Sequence, residues 1–222
     1  MAPRGRVLRY LPNLIGYARI LLTGVSVALL IPRTNTPSHL CLALGAYTLG
    51  FALDWLDGCL AKLFRQSSVF GAALDMVIDR LSTCALLAII SCRSCASNHP
   101  HGNFIAFSAL CAAGLDIASH WAHMHATLSD SGSHKTVGAA SCSTLLSLYY
   151  KSRIFMGFCC ISVELALLSH IALSHELTHA LEGYILVVLR FIRSSSACGF
   201  VLKQLVNCEQ LRVASLRLAA LG

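Results

Sequence analysis

The stretch Asp54-Trp55-Leu56-Asp57-Gly58-Cys59-Leu60-Ala61-Lys62, followed by Gly71-Ala72-Ala73-Leu74-Asp75-Met76-Val77-Ile78-Asp79, decides how this chain is read. It sets four aspartates at the ends of two apolar runs, Leu40–Leu56 and Gly71–Ile90. Runs of about 20 mostly apolar residues are long enough to cross a bilayer as helices. A bare carboxylate near hydrocarbon costs roughly 2.5–3.5 kcal/mol on insertion scales, so four of them demand cations. Asp54 and Asp57 stand at i and i+3, Asp75 and Asp79 at i and i+4, so each pair occupies one face of its helix. The short link from Lys62 to Phe70 predicts antiparallel neighbours, which brings both pairs to one point. Four facing carboxylates repel one another unless divalent ions lie between them. Hard oxygen donors favour Mg²⁺ or Mn²⁺ over zinc. Gly58, Ala61 and Gly71 remove bulk beside the acids, so a ligand or a second backbone can approach. Lys62 and Ser68 are placed to contact phosphate. No matching set of basic residues is interleaved in the stretch, which disfavours a purely structural ion-pair network.

The rest of the chain supplies a membrane setting. Of 222 residues, 56% are hydrophobic and 12% charged, and the mean hydropathy is +0.67. A soluble domain carries about a quarter charged residues. The bilayer is therefore the expected solvent, and the expected fold is an all-α polytopic bundle of six spans: Leu14–Ile31, Leu40–Leu56, Gly71–Ile90, Phe104–Ala126, Ile154–Leu173 and Leu181–Leu202. The longest polar connection runs from Ser129 to Arg153. The net charge of +7 follows the positive-inside pattern. Arg4, Arg6 and Arg9, then Lys62 and Arg65, then Lys135, Lys151 and Arg153, then Lys203, Arg212 and Arg217 all fall on one side, the cytosolic one. The opposite loops carry only Arg33 and Arg93. No basic stripe stands on a water-soluble scaffold, which excludes nucleic acid as a partner. Asn13 and Arg19 interrupt the first apolar run and no cleavage site follows, so the first helix is expected to be retained. Eleven cysteines lie mostly in apolar runs, where thiols pack as small hydrophobes. Cys92 and Cys95 could bridge if their loop met an oxidising lumen. No repeat or composition break divides the chain, so residues 1–222 are expected to form one domain, with 210–222 as an amphipathic tail on the membrane surface.

The pattern D-x-x-D-G-x-x-A-R-x8-G-x3-D-x3-D marks the CDP-alcohol phosphatidyltransferases, and residues 54–79 match it at every fixed position but one. Lys62 stands where the family has arginine; it keeps the charge but loses the planar fork that grips phosphate bidentately. The chain also resembles eukaryotic phosphatidylinositol synthases in Leu11-Pro12-Asn13-Leu14-Ile15-Gly16-Tyr17-Ala18-Arg19-Ile20 and in Leu115 to His125. Ser133-His134-Lys135 and Tyr149 to Arg153 extend the likeness, which fades after Glu164. The resemblance implies a six-transmembrane-helix bundle of the CDP-alcohol phosphotransferase type. It further implies transfer of the phosphatidyl group from CDP-diacylglycerol to myo-inositol, with two Mg²⁺ or Mn²⁺ ions held by Asp54, Asp57, Asp75 and Asp79. Asp79 would also be the catalytic base. The same resemblance puts Gly58, Lys62 and Ser68 at the nucleotide lipid, together with Asn13, Arg19, Ala61 and Gly71. It implies a homodimer in the endoplasmic reticulum membrane with a cytosolic active site.

Other polar residues leave choices open. Arg19 either joins that pocket or snorkels to the headgroups. Asp116, Ser119 and His120 form a polar patch inside an apolar helix, read either as an inositol site or as an interhelical contact. His120 and His123 share a face but lack a clear third ligand, so zinc is not expected. A different acceptor alcohol is an alternative. So are a prenyltransferase, which usually carries asparagine before the first aspartate where this chain has Leu53, and a cation transporter, which would spread its acids near mid-membrane.

Overall fold

The computed structural model describes residues 4–32, 36–97, 99–130, 143–174 and 183–220. Among them every regular element is an α-helix: α1 (Arg4–Val7), α2 (Leu11–Leu30), α3 (Pro37–Leu63), α4 (Val69–Cys95), α5 (Gly102–Asp130), α6 (Thr144–Lys151), α7 (Arg153–Leu173) and α8 (Gly183–Ala219). Arg33, the Ser133-His134-Lys135 triplet and the expected start of the last span at Leu181 lie outside the described residues.

Five of these helices, α2, α3, α5, α7 and α8, contain segments long and apolar enough to cross a membrane. Large apolar side chains cover their outer faces, with Leu21, Phe104 and Phe191 each 71% exposed and Ile154 87% exposed. Such a surface suits lipid and is costly in water, so the chain is an integral membrane protein. The expected third span, α4, is 27 residues long but carries Asp75, Asp79, Arg80 and Arg93. It does not reach the apolar composition of the other five.

The chain divides into two compact units. The first comprises residues 1–89 with 174–180. In it α2 lies along α3, and Gly16 of α2 leaves room for side chains of α4. A Cβ on Gly16 would stand 3.1 Å from Ile78 Cδ1 and 3.2 Å from Leu74 Cδ2. Pro37 begins α3 behind Thr36, whose hydroxyl accepts the His39 N–H. The helix ends in a Schellman turn: Gln66 N–H donates to Ala61 O and Arg65 N–H to Lys62 O. Arg65 takes the left-handed position at φ 52°. Ser68 then receives the Gly71 N–H on its hydroxyl at 2.9 Å and opens α4. The whole run from Asp54 to Lys62 is thus wound into the last turns of α3.

The second unit comprises residues 90–173 with 181–222. Here α8 packs on α5 and α7, and the short α6 rests on α7 and α8. One core cluster joins Leu146, Tyr149, Cys159, Val206 and Val213. Another joins Ala122 and Ala126 to Ala214. The segment from Ser129 to Arg153 is not all connection: α5 runs on to Asp130, and α6 forms because Ser143 caps it and Leu146 and Tyr149 are buried. Residues 210–219 continue α8, with Val213 and Ala214 buried in it. Cys92 and Cys95 are free thiols on α4 rather than a bridge.

Candidate active site

The four aspartates meet around one arginine. Arg19 projects from α2 and is only 3% exposed. Its Nη1 lies 2.9 Å from Asp57 Oδ2 and 2.9 Å from Asp75 Oδ1. Its Nη2 lies 2.6 Å from Asp54 Oδ1 and 2.7 Å from Asp79 Oδ1. Each terminal nitrogen therefore takes one carboxylate from α3 and one from α4, so the guanidinium clamps the two helices at two levels. The planar fork suits this task, since its donors point in fixed directions. Arg19 neither snorkels to the surface nor lines the cleft described below. A charged group two turns inside an apolar helix, with no acid on its own helix, requires a partner from elsewhere. That requirement was the available signal for its position.

One guanidinium does not balance four carboxylates. Arg80 approaches Asp79 at 3.9 Å, which still leaves the acids in excess. Carboxylate oxygens of Asp54, Asp57 and Asp75 lie within 4.8 Å of one another. Three hard oxygen donors close together, with negative charge to spare, suit a divalent cation.

Beside the acids opens a cleft of about 240 Å³ whose lining includes Asn13, Asp57, Gly58, Ala61, Lys62, Ser68, Gly71 and Asp75. Pro12, Gln66 and Ser67, which sequence reading passed over, also line it. Gln66 Oε1 accepts the Leu11 N–H at 2.9 Å and ties the start of α2 to the turn after α3. Asn13 donates from Nδ2 to Val7 O at 2.7 Å. A Cβ on Gly71 would stand 3.0 Å from Asn13 Oδ1 and 3.1 Å from Ser68 Oγ, so a side chain there would crowd that wall. A Cβ on Gly58 would meet nothing within 4 Å. Gly58 is therefore not required by packing, and its effect is to leave the cleft open.

Asp116, Ser119 and His120 belong to the second unit, whereas the lining above comes from the first. Asp116 Oδ1 accepts Asn207 Nδ2–H at 3.0 Å, joining α5 to α8. Ser119 donates to Asp116 O at 3.1 Å, and His120 Nδ1 lies 2.8 Å from the same carbonyl. His123, the other candidate zinc ligand, stacks on Tyr150 with ring centroids 5.4 Å apart.

Comparison with known proteins gives the arrangement a lineage. The family described as CDP-alcohol phosphatidyltransferase matches residues 9–192. The probable CDP-diacylglycerol–inositol 3-phosphatidyltransferase 2 of Arabidopsis thaliana is 36% identical over 213 residues, covering 93% of this chain and 88% of the relative. The CDP-diacylglycerol–inositol 3-phosphatidyltransferase of Saccharomyces cerevisiae is 36% identical over 214 residues, covering 96% and 87%. That of Homo sapiens is 34% identical over 164 residues, covering 73% and 70%. No solved structure matches the chain at a significant level. The paired aspartates, the cleft beside them and a match over most of the length lead to one conclusion: the chain belongs to the CDP-alcohol phosphatidyltransferase family.

Proposed function

We propose that the chain transfers the phosphatidyl group of CDP-diacylglycerol to myo-inositol, yielding phosphatidylinositol and CMP. The observation that carries this reading is the convergence of Asp54, Asp57, Asp75 and Asp79 beside a cleft walled by small residues with Lys62 and Ser68. The names of the relatives supply the donor lipid and the acceptor.

Asp54, Asp57 and Asp75 would hold two Mg²⁺ or Mn²⁺ ions, with Asp79 completing the set. Bound there, the ions supply positive charge against the pyrophosphate as CMP leaves. Gly58, Ala61 and Gly71 keep the cleft wide enough for the nucleotide. Lys62, Ser68 and Asn13 offer donors to phosphate oxygens. Asp79 accepts the proton of an inositol hydroxyl as that oxygen attacks the β-phosphorus. The new P–O bond forms to inositol, and the bond from the β-phosphorus to the CMP oxygen breaks. Aspartate is a weak base for an alcohol, so proton transfer comes late, and positioning with charge stabilisation provides most of the acceleration. No covalent enzyme intermediate is needed. Of the inner polar patch, Asp116 is 4% and Ser119 0% exposed. We assign them to ordering α5 against α8 and give the acceptor contact to His120, whose side chain is 16% exposed.

The reading extends to the whole chain. Residues 1–222 act as one domain, supported by a family match that runs through both units. The length of α4 supports a sixth span, with Asp75 and Asp79 facing Arg19. Lys62 and Arg65 beside the acids support a cytosolic active site in the endoplasmic reticulum membrane. A homodimer is part of the same proposal. A cation transporter is disfavoured because the acids cluster near the C-terminal end of α3 and the N-terminal end of α4. Purified protein supplied with labelled inositol, CDP-diacylglycerol and Mn²⁺ should form labelled lipid, and chelator should stop it. Equal or better use of serine, choline or glycerol 3-phosphate would overturn the acceptor assignment.

A further inference from the structure

Arg19 occupies the centre of the site that the preceding reading gives to divalent ions. Its two terminal nitrogens reach all four aspartates at 2.6–2.9 Å. Asp57 is 9% and Arg19 3% exposed, so these charges sit where solvent screening is weak. Without a cation between them, carboxylates from two helices would push α3 and α4 apart. With one guanidinium they stay together but remain short of positive charge. A dication brought to the same oxygens meets a positive group already on them. Both cannot use the same lone pairs, and like charges at such spacing oppose each other.

Resting on the reading of this cluster as a divalent-ion site, we propose that Arg19 is a resident counter-cation. It holds the four carboxylates assembled in the metal-free protein and is displaced from them when metal binds. The arginine thus lowers metal affinity in exchange for a site that is already built when metal arrives. The two-level clamp, one acid of each helix on each nitrogen, is the geometry such a placeholder needs. A residue that only contacted lipid phosphate would have no reason to bond all four acids.

The test uses the full chain in detergent after chelator treatment, with Mn²⁺ as the probe and its free-ion paramagnetic signal as the readout. Arg19→Met keeps the stem and removes the charge. Wild type should bind Mn²⁺, and Arg19→Met should bind it about tenfold more tightly or better, equivalent to about 1.4 kcal/mol. In chelator the variant should melt below wild type, and saturating Mn²⁺ should close that gap. Equal or weaker binding by Arg19→Met would overturn the proposal while leaving the metal site intact. Absence of Mn²⁺ binding by wild type would overturn both this inference and the functional reading beneath it. If Arg19→Met is unfolded in chelator, recovery of fold with Mn²⁺ supports the placeholder, and failure to recover overturns it. Arg19→Lys, which keeps the charge but cannot span four acids, should fall between wild type and Arg19→Met in affinity; affinity equal to or below wild type would count against displacement.

Discussion

Two polar clusters interrupt apolar helices in this molecule, and they are built on opposite terms. The first gathers Asp54, Asp57, Asp75 and Asp79 on Arg19, beside an open cleft. Its charges do not balance, and Asp75 keeps 48% of its side chain exposed. The second gathers Asp116, Ser119 and His120 of α5 with Asn207 of α8. There a single acid is answered by an amide donor, and Asp116, Ser119 and Asn207 are buried. In the same unit Lys203 donates to Tyr149 Oη at 3.2 Å and lies over its ring. The contrast separates two uses of polarity in a membrane protein. An unbalanced, accessible cluster is poised to receive an ion or a ligand, whereas a paired and enclosed one orders helices. The mere presence of an ionisable group in an apolar helix does not distinguish them.

The contrast is open to attack by substitution, and the largest effect is expected in the first cluster. Asp79→Asn should lower turnover by about 10²- to 10⁴-fold, the range for loss of a general base. It should leave the helical content and the melting temperature close to wild type, read by circular dichroism. Normal turnover would remove Asp79 from the chemistry. In the second cluster the effects should be reversed in kind. Asp116→Ala strips Asn207 of its acceptor and should cost about 1–3 kcal/mol of stability, the penalty of an orphaned buried donor. The inositol KM of the folded fraction should not change. A raised inositol KM without loss of stability would mean that Asp116, like His120, contacts the acceptor. His120→Ala should raise the inositol KM and spare that for CDP-diacylglycerol; the opposite pattern would take it out of the acceptor site.

Smaller effects sharpen the picture. Lys62→Arg restores a bidentate fork at the cleft and should lower the CDP-diacylglycerol KM by about tenfold or less. A rise would show that the wall is fitted to lysine. Arg65→Gly relieves a side chain from the left-handed position that ends α3 and should stabilise the fold by about 0.5–1 kcal/mol. Its turnover should match wild type. A loss of activity there would give Arg65 a part in the site beyond the turn.

Much of the first cluster was legible from spacing. Asp54 with Asp57 and Asp75 with Asp79 share faces because the helical period places them there, and the short link between their helices leaves little freedom in how the pairs meet. The long helices among the described residues were legible as apolar runs, though α4 carries four charged residues and lacks the apolar composition of α2, α3, α5, α7 and α8. The Ser129–Arg153 connection misled because α6 is only eight residues long and depends on burying Leu146 and Tyr149. The end of α8 was legible only as leucine and arginine at helical spacing; its contact with Ala122 and Ala126 comes from packing.

What the sequence by itself determined is the membrane setting, the helical class and the carboxylate motif, because each follows from local composition and period. Tertiary structure decided which cationic side chain the acids bond, which glycines are crowded and which are open, and which polar patch is sealed. Those outcomes depend on side chains that are 35 to 91 residues apart along the chain, as with Arg19 and Asp54 or Asp116 and Asn207. Periodicity reports which face a residue occupies; only packing determines what that face meets.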